Sequence, residues 1–216
     1  MNLRTRIKIC GLSQPADIDA AADAGADAVG FVLYPGSVRH VTLGRAVELV
    51  RRMPSFLTPV GLFVNAAGAE IEAAVDAIPN LLLQFHGDES ATECASYGRP
   101  YLRAARMAHG LDLLDFAYRF DGAQALVLDA HAPGYGGSGK VFDWSLVPAG
   151  VARRRLVLSG GLHAANVAAG IAQLRPWAVD VSSGVESLRG VKDPLAIRRF
   201  CDAVRDADAR IDASPT

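Results

Sequence analysis

The sequence predicts an α/β protein built as a single-domain (β/α)8 TIM barrel, on three observations. Short β-branched or leucine-rich runs alternate with longer alanine-rich segments whose apolar residues fall at helical spacing, the signature of βαβ units and so of a parallel sheet. Eight such runs begin near Arg6, Asp27, Pro59, Asn80, Pro100, Ala123, Arg155 and Ala178. Successive starts lie about 25 residues apart, room for one strand, one helix and two short loops. The runs are also nearly continuous in hydrophobicity, as strands covered on both faces require. A doubly wound open sheet is the structural alternative, but it would carry a Gly-x-Gly-x-x-Gly after the first strand, and Cys10-Gly11-Leu12-Ser13 supplies no such cluster.

Taken in order, the first helix is expected over residues 16–24, with Pro15 in its first turn behind the cap candidates Ser13 and Gln14 and with Gly25 closing its end. Further helices are expected over 43–52, 69–77, 90–97, 111–120, 164–174 and 193–204. The sixth connection differs. From His131 to Lys140 it reads HAPGYGGSGK, too rich in glycine for a helix and long enough to be a functional loop. The barrel is expected to fill residues 1–207, and the polar stretch 208–216, ending Ser-Pro-Thr, reads as a frayed tail.

Composition narrows the function. Half of the 216 residues are apolar and the formal net charge is −1, so a real core is available and no basic face marks a nucleic-acid or membrane-surface partner. No apolar run approaches the ~20 residues that span a bilayer. The amino terminus lacks the apolar region of a signal peptide, so a cytoplasmic protein is expected. Three cysteines at unrelated spacings, Cys10, Cys94 and Cys201, offer neither a disulfide framework nor a metal knuckle. His86, His131 and Asp129 form no recognisable ligand set for a metal-dependent epimerase. A small molecule is the expected partner, with no metal and no cofactor, acting on a monomer or homodimer.

In such a barrel the active site lies at the carboxyl ends of the strands. Strand alternation puts Ile7 and Ile9 outward and Lys8 and Cys10 into the interior. By the same count Asp129 points inward at the end of the sixth strand, Gln84 and His86 close the fourth, and Asp180 and Ser182 close the eighth. Cys94 and Cys201, on predicted helix faces, read as small buried hydrophobes. Ser159-Gly160-Gly161-Leu162 follows the seventh strand and Ser182-Ser183-Gly184-Val185-Glu186 the eighth; the loops after these two strands are the usual phosphate site of the fold. Closure makes the first and eighth strands neighbours, with Lys8 and Asp180 at comparable depth. They are expected to pair, either placing an ammonium beneath Cys10 that favours its thiolate or serving as a structural pair without effect on the thiol.

The chain resembles the phosphoribosylanthranilate isomerase family of tryptophan biosynthesis. The segments that carry this are Lys8-Ile9-Cys10-Gly11-Leu12, Phe31 through Ser37 with Arg39, Gly61-Leu62-Phe63-Val64-Asn65, Gln84-Phe85-His86-Gly87, Leu128-Asp129 with Gly136 to Gly139, Phe142-Asp143-Trp144, the two glycine loops, and Gly190 with Lys192-Asp193. Val38 and Phe85 stand where the family usually has proline and leucine. The resemblance implies an Amadori rearrangement of N-(5-phosphoribosyl)anthranilate to an aminoketose, with Cys10 as general base and Asp129 as general acid. It further implies Arg39 for the anthranilate carboxylate, by two parallel hydrogen bonds, and Gly161, Ser183 and Gly184 for the phosphate; Gly160 and His86 complete the expected substrate-binding set. Residues 136–139 would close as a lid. Other phosphosugar barrels remain as alternatives, a histidine-pathway isomerase or an indole-ring-closing synthase among them, as does a phosphosugar-binding module without catalysis.

Overall fold

Eight parallel strands pair in chain order and the eighth closes on the first. The computed structural model describes residues 4–108, 110–130, 141–153 and 155–213. The strands are β1 (Arg6–Cys10), β2 (Ala28–Val32), β3 (Thr58–Phe63), β4 (Leu82–Phe85), β5 (Tyr101–Met107), β6 (Ala125–Ala130), β7 (Leu156–Leu158) and β8 (Ala178–Val181). Each begins within two residues of its expected start. Around them lie α1 (Pro15–Asp23), α2 (Leu43–Val50), α3 (Gly68–Ala77), α4 (Ala91–Ala95), α5 (Leu113–Arg119), α6 (Val167–Leu174) and α7 (Pro194–Asp212).

The helices start where local chemistry provides partners for their first N–H groups. Thr42 accepts from Arg45 N, Ser90 and Glu93 cap each other, and Asp112 and Asp193 accept from the first turns of α5 and α7. Alternation along the strands divides the apolar residues into two layers. Ile7, Ile9, Phe31, Leu83, Phe85, Leu126, Leu128 and Val179 pack outward against the helices, while Val60, Leu102, Ala104, Ala125, Val127, Val157 and Ala178 fill the lumen. The lumen is therefore plugged with apolar side chains below the level at which Lys8, Asp180, Gln84 and Asp129 enter it.

Three features depart from the sequence reading or extend it. The carboxyl-terminal helix does not end near residue 204: α7 continues to Asp212, correcting the expected frayed tail over 208–212. The reason is tertiary, since the Asp208 carboxylate accepts hydrogen bonds from the Thr5 N–H and hydroxyl, both at 2.7 Å, tying the helix to the start of β1. A short hairpin of β9 (Glu186–Leu188) and β10 (Val191–Lys192) follows β8, where only a loop was expected. Between β6 and β7 the described residues form two 3-10 turns, Trp144–Leu146 and Ala149–Arg153, in place of an α-helix. The expected lid, within 131–140, lies outside the described residues. No described helix is long and apolar enough to cross a membrane.

Candidate active site

A cavity of about 740 Å³, its open mouth included, lies at the carboxyl ends of the strands. Cys10 from β1 and Asp129 from β6 both line it, together with Arg39, His86, Gly160, Gly161 and Ser183. Side chains about 120 positions apart in sequence are thus brought to one space, because each sits at the top of an inward-facing strand position.

On the β1 and β8 side, Lys8 and Asp180 are register partners and their side chains meet at 2.9 Å, both about 95% buried. The expected pair therefore forms. Burial alone would lower the Lys8 ammonium, but Asp180 and the Cys10 sulfur together hold it above its ordinary value. Burial pushes the Cys10 thiol up; the Lys8 ammonium pulls it down, as expected, and Lys192 adds to that pull, but burial with Asp180 beside it outweighs them. Gly30 on β2 makes the room for this arrangement, since a Cβ there would meet Cys10 Sγ at 2.7 Å and Lys8 Nζ at 3.2 Å.

On the β4 and β6 side, His86 Nε2 lies 3.0 Å from Asp129 Oδ2, and the other Asp129 oxygen accepts from the Ala130 N–H at 3.0 Å. The Gln84 amide nitrogen stands 3.4 Å from His86 Nδ1, so the imidazole is contacted at both ring nitrogens, by Gln84 on one side and Asp129 on the other. His86, expected as a substrate contact, is thus also the partner of the expected acid. Sequence alternation placed both residues inward but could not show that they touch. Gly160, with φ of +78°, belongs to the same arrangement: a Cβ there would lie 2.5 Å from Ala130 N and 3.0 Å from Asp129 Oδ1.

Gly161 and Ser183 face the cavity from the loops after β7 and β8. Gly184 does not line it; it packs against the Leu162 carbonyl, which lets the two glycine loops touch. Arg39 lies at the cavity but is already engaged: its Nε and Nη2 donate to the two oxygens of Glu186 at 2.6 and 2.9 Å. Among the described residues these bonds take one edge of the guanidinium and leave the other without a hydrogen-bond partner. Glu186 also accepts from Lys192 Nζ at 2.8 Å and from the Gly190 N–H at 3.0 Å. Burial would raise this carboxyl, yet the hydrogen bonds from Arg39, Lys192 and Gly190 hold it at about 2. Glu186 and Lys192 carried no role in the sequence reading, although both lie in segments that were singled out. Their signal, an acidic and a basic residue six positions apart beyond the eighth strand, gains meaning only from the β9–β10 hairpin that folds them together.

Cys94 and Cys201 are fully buried, and burial pushes their thiols up to about 12 and about 11, as fits inert packing residues.

A (β/α)8 barrel with paired glycine loops beyond its last two strands and titratable groups on opposite walls of the mouth defines the class of phosphosugar-converting barrel enzymes. Residues 7–203 match the family model of N-(5'phosphoribosyl)anthranilate (PRA) isomerase, so the chain belongs to that family. Its curated relatives include the N-(5'-phosphoribosyl)anthranilate isomerase of Methylibium petroleiphilum, 66% identical over 98% of this chain and 99% of the relative. Among solved structures, the phosphoribosyl anthranilate isomerase of Thermotoga maritima is similar with a TM-score of 0.86 at 37% identity, covering 94% of this chain and 99% of the other. Another phosphoribosyl anthranilate isomerase, solved in complex with reduced 1-(o-carboxyphenylamino)-1-deoxyribulose 5-phosphate, aligns with a TM-score of 0.83 at 34% identity over 94% and 99% of the two chains.

Proposed function

We propose that the chain isomerises N-(5'-phosphoribosyl)anthranilate to 1-(2-carboxyphenylamino)-1-deoxyribulose 5-phosphate in tryptophan biosynthesis, with Cys10 as general base and Asp129 as general acid. The observation that carries the reading is the placement of these two side chains on one cavity together with the glycine loops. A proton passes from the Asp129 side to the furanose ring oxygen as the C1'–O bond breaks, leaving a protonated Schiff base. Its cationic nitrogen acidifies the C2' hydrogen, which Cys10 removes to give an enolamine, and tautomerisation yields the ketone.

The His86–Asp129 contact allows the transferable proton to be held by the pair, so neither residue needs to carry it alone. Cys10 acts in this step as the thiolate, its own proton having passed to solvent, and the Schiff-base cation adds to the pull of Lys8 and Lys192 in favouring that form against burial. Gly160, Gly161, Ser183 and Gly184 form the phosphate end, Gly184 by fixing the loop, and Arg39 turns its unengaged edge to the anthranilate carboxylate. The test follows loss of anthranilate-adduct fluorescence with purified protein. Turnover by the wild-type chain that disappears in both Cys10→Ala and Asp129→Asn is expected; normal turnover in either variant rejects that residue's role.

A further inference from the structure

Outside the cavity, on the helix-facing side of the barrel wall, a buried ion pair grips the strand end that carries His86. Arg103 of β5 and the Glu89 carboxylate approach to 3.3 Å, both side chains more than 90% buried. The guanidinium donates from Nη1 to the Phe85 carbonyl and from Nη2 to the Gly87 carbonyl, each at 3.0 Å. These are the carbonyls on either side of His86. Glu89 accepts from the Gly87 N–H at 2.9 Å, so Gly87, the residue after His86, is held at both its N–H and its carbonyl. The His86 N–H itself donates to the Phe63 carbonyl of β3 at 2.9 Å. Arg103 is fixed in turn by the ring of Phe120, 4.8 Å from its guanidinium carbon.

We propose that the Arg103–Glu89 pair is a positioning device for the reaction, holding the His86 imidazole on the Asp129 carboxylate from behind the strand. Neither residue touches the cavity; both act through the backbone of residues 85–87. Two flanking carbonyls held by one planar fork fix the direction in which the intervening side chain leaves the backbone, and an imidazole–carboxylate contact of 3.0 Å tolerates little rotation at its root. A loop anchor would need only one of these bonds. The pair spans His86 and continues into Glu89, whose other oxygen takes the Asn65 N–H at 2.7 Å, so the ends of β3, β4 and β5 are tied at the level of the acid. The consequence for turnover rests on the reading of Asp129 as general acid.

The experiment uses the full chain with Arg103→Lys, which keeps the charge but cannot grip two carbonyls in one plane, and Glu89→Gln, which keeps the shape. The imidazole Nε2 resonance of His86, assigned by its loss in His86→Asn, reports the contact with Asp129 directly. Both variants are expected to shift or broaden that resonance and to lower kcat by about 10- to 100-fold with KM nearly unchanged, the scale of a small misplacement. The kcat loss should vanish in the His86→Asn background, giving a strongly non-additive cycle. A lowered melting temperature with the resonance and kcat at wild-type values would overturn the proposal and reduce the pair to an anchor. A shifted resonance with unchanged kcat would uphold the grip on His86 and reject the acid assignment, which Asp129→Asn turnover tests separately.

Discussion

The two walls of the cavity are built by different means. Along β1 and β8 charge is gathered close to the sulfur of Cys10: Lys8, Asp180 and, from β10, Lys192 all act on it. Along β4 and β6 the cavity is lined by a contact series, Gln84 to His86 to Asp129, while the charges of Arg103 and Glu89 are kept behind the strand. Charge close to the reacting group sets its protonation, whereas charge behind the backbone can set geometry without altering the field in the cavity as strongly.

The contrast between the walls breaks most visibly at the two proposed reacting groups. Cys10→Ala and Asp129→Asn should each cost about 100- to 10,000-fold or more in kcat, the usual worth of a positioned acid or base, with a wild-type circular-dichroism spectrum. Equal losses would mean that both walls are essential, and a mild loss in one would localise the chemistry to the other. Next in size is the substrate grip. Arg39→Lys should raise KM more than it lowers kcat, since a lysine cannot hold Glu186 with one edge and present a second edge to a carboxylate; an unchanged KM would separate Arg39 from the substrate.

The charged wall can be sharpened by measuring how fast Cys10 is alkylated as a function of pH, followed on its own peptide by mass spectrometry. Asp180→Asn removes a negative charge that raises the thiol, so the midpoint should move to lower pH, while Lys192→Met should move it upward. A midpoint that stays in place in both would show that burial alone governs the sulfur. A smaller effect belongs to Glu186. Its folded-state value of about 2 lies below its ordinary 4.5, so its contribution to stability is complete above about pH 4.5 and is lost as the pH falls toward 2. The difference in melting temperature between wild type and Glu186→Gln should therefore narrow across that interval, and a constant difference would contradict the linkage. Smallest of all, Cys94→Ala and Cys201→Ala should cost about 1 kcal/mol of stability each and leave turnover unchanged.

How far the sequence could be read follows from the range of the forces involved. Alternation on β1 and β6 depends only on backbone geometry, so Lys8, Cys10 and Asp129 could be placed inward without a structure, and barrel closure then implied the Lys8–Asp180 pair. The effect of that pair on Cys10 could not be read, because it is a balance between two nearby charges and the loss of water around the sulfur. The extent of α7 was missed for a related reason: residues 208–212 are polar in sequence, and it is the bond from Thr5 to Asp208 that gives the helix a partner.

By itself, then, the order of apolar runs, turn residues and caps determined eight strands, their inward faces, and which end of the barrel carries the chemistry, since these depend on periodicity and local hydrogen bonding. Only the tertiary structure decided the contacts among side chains remote in sequence: His86 on Asp129, Glu186 between Arg39 and Lys192, and Arg103 behind His86. Such contacts turn on distances of a few ångströms between separate strands, and no repeat along a single chain encodes them.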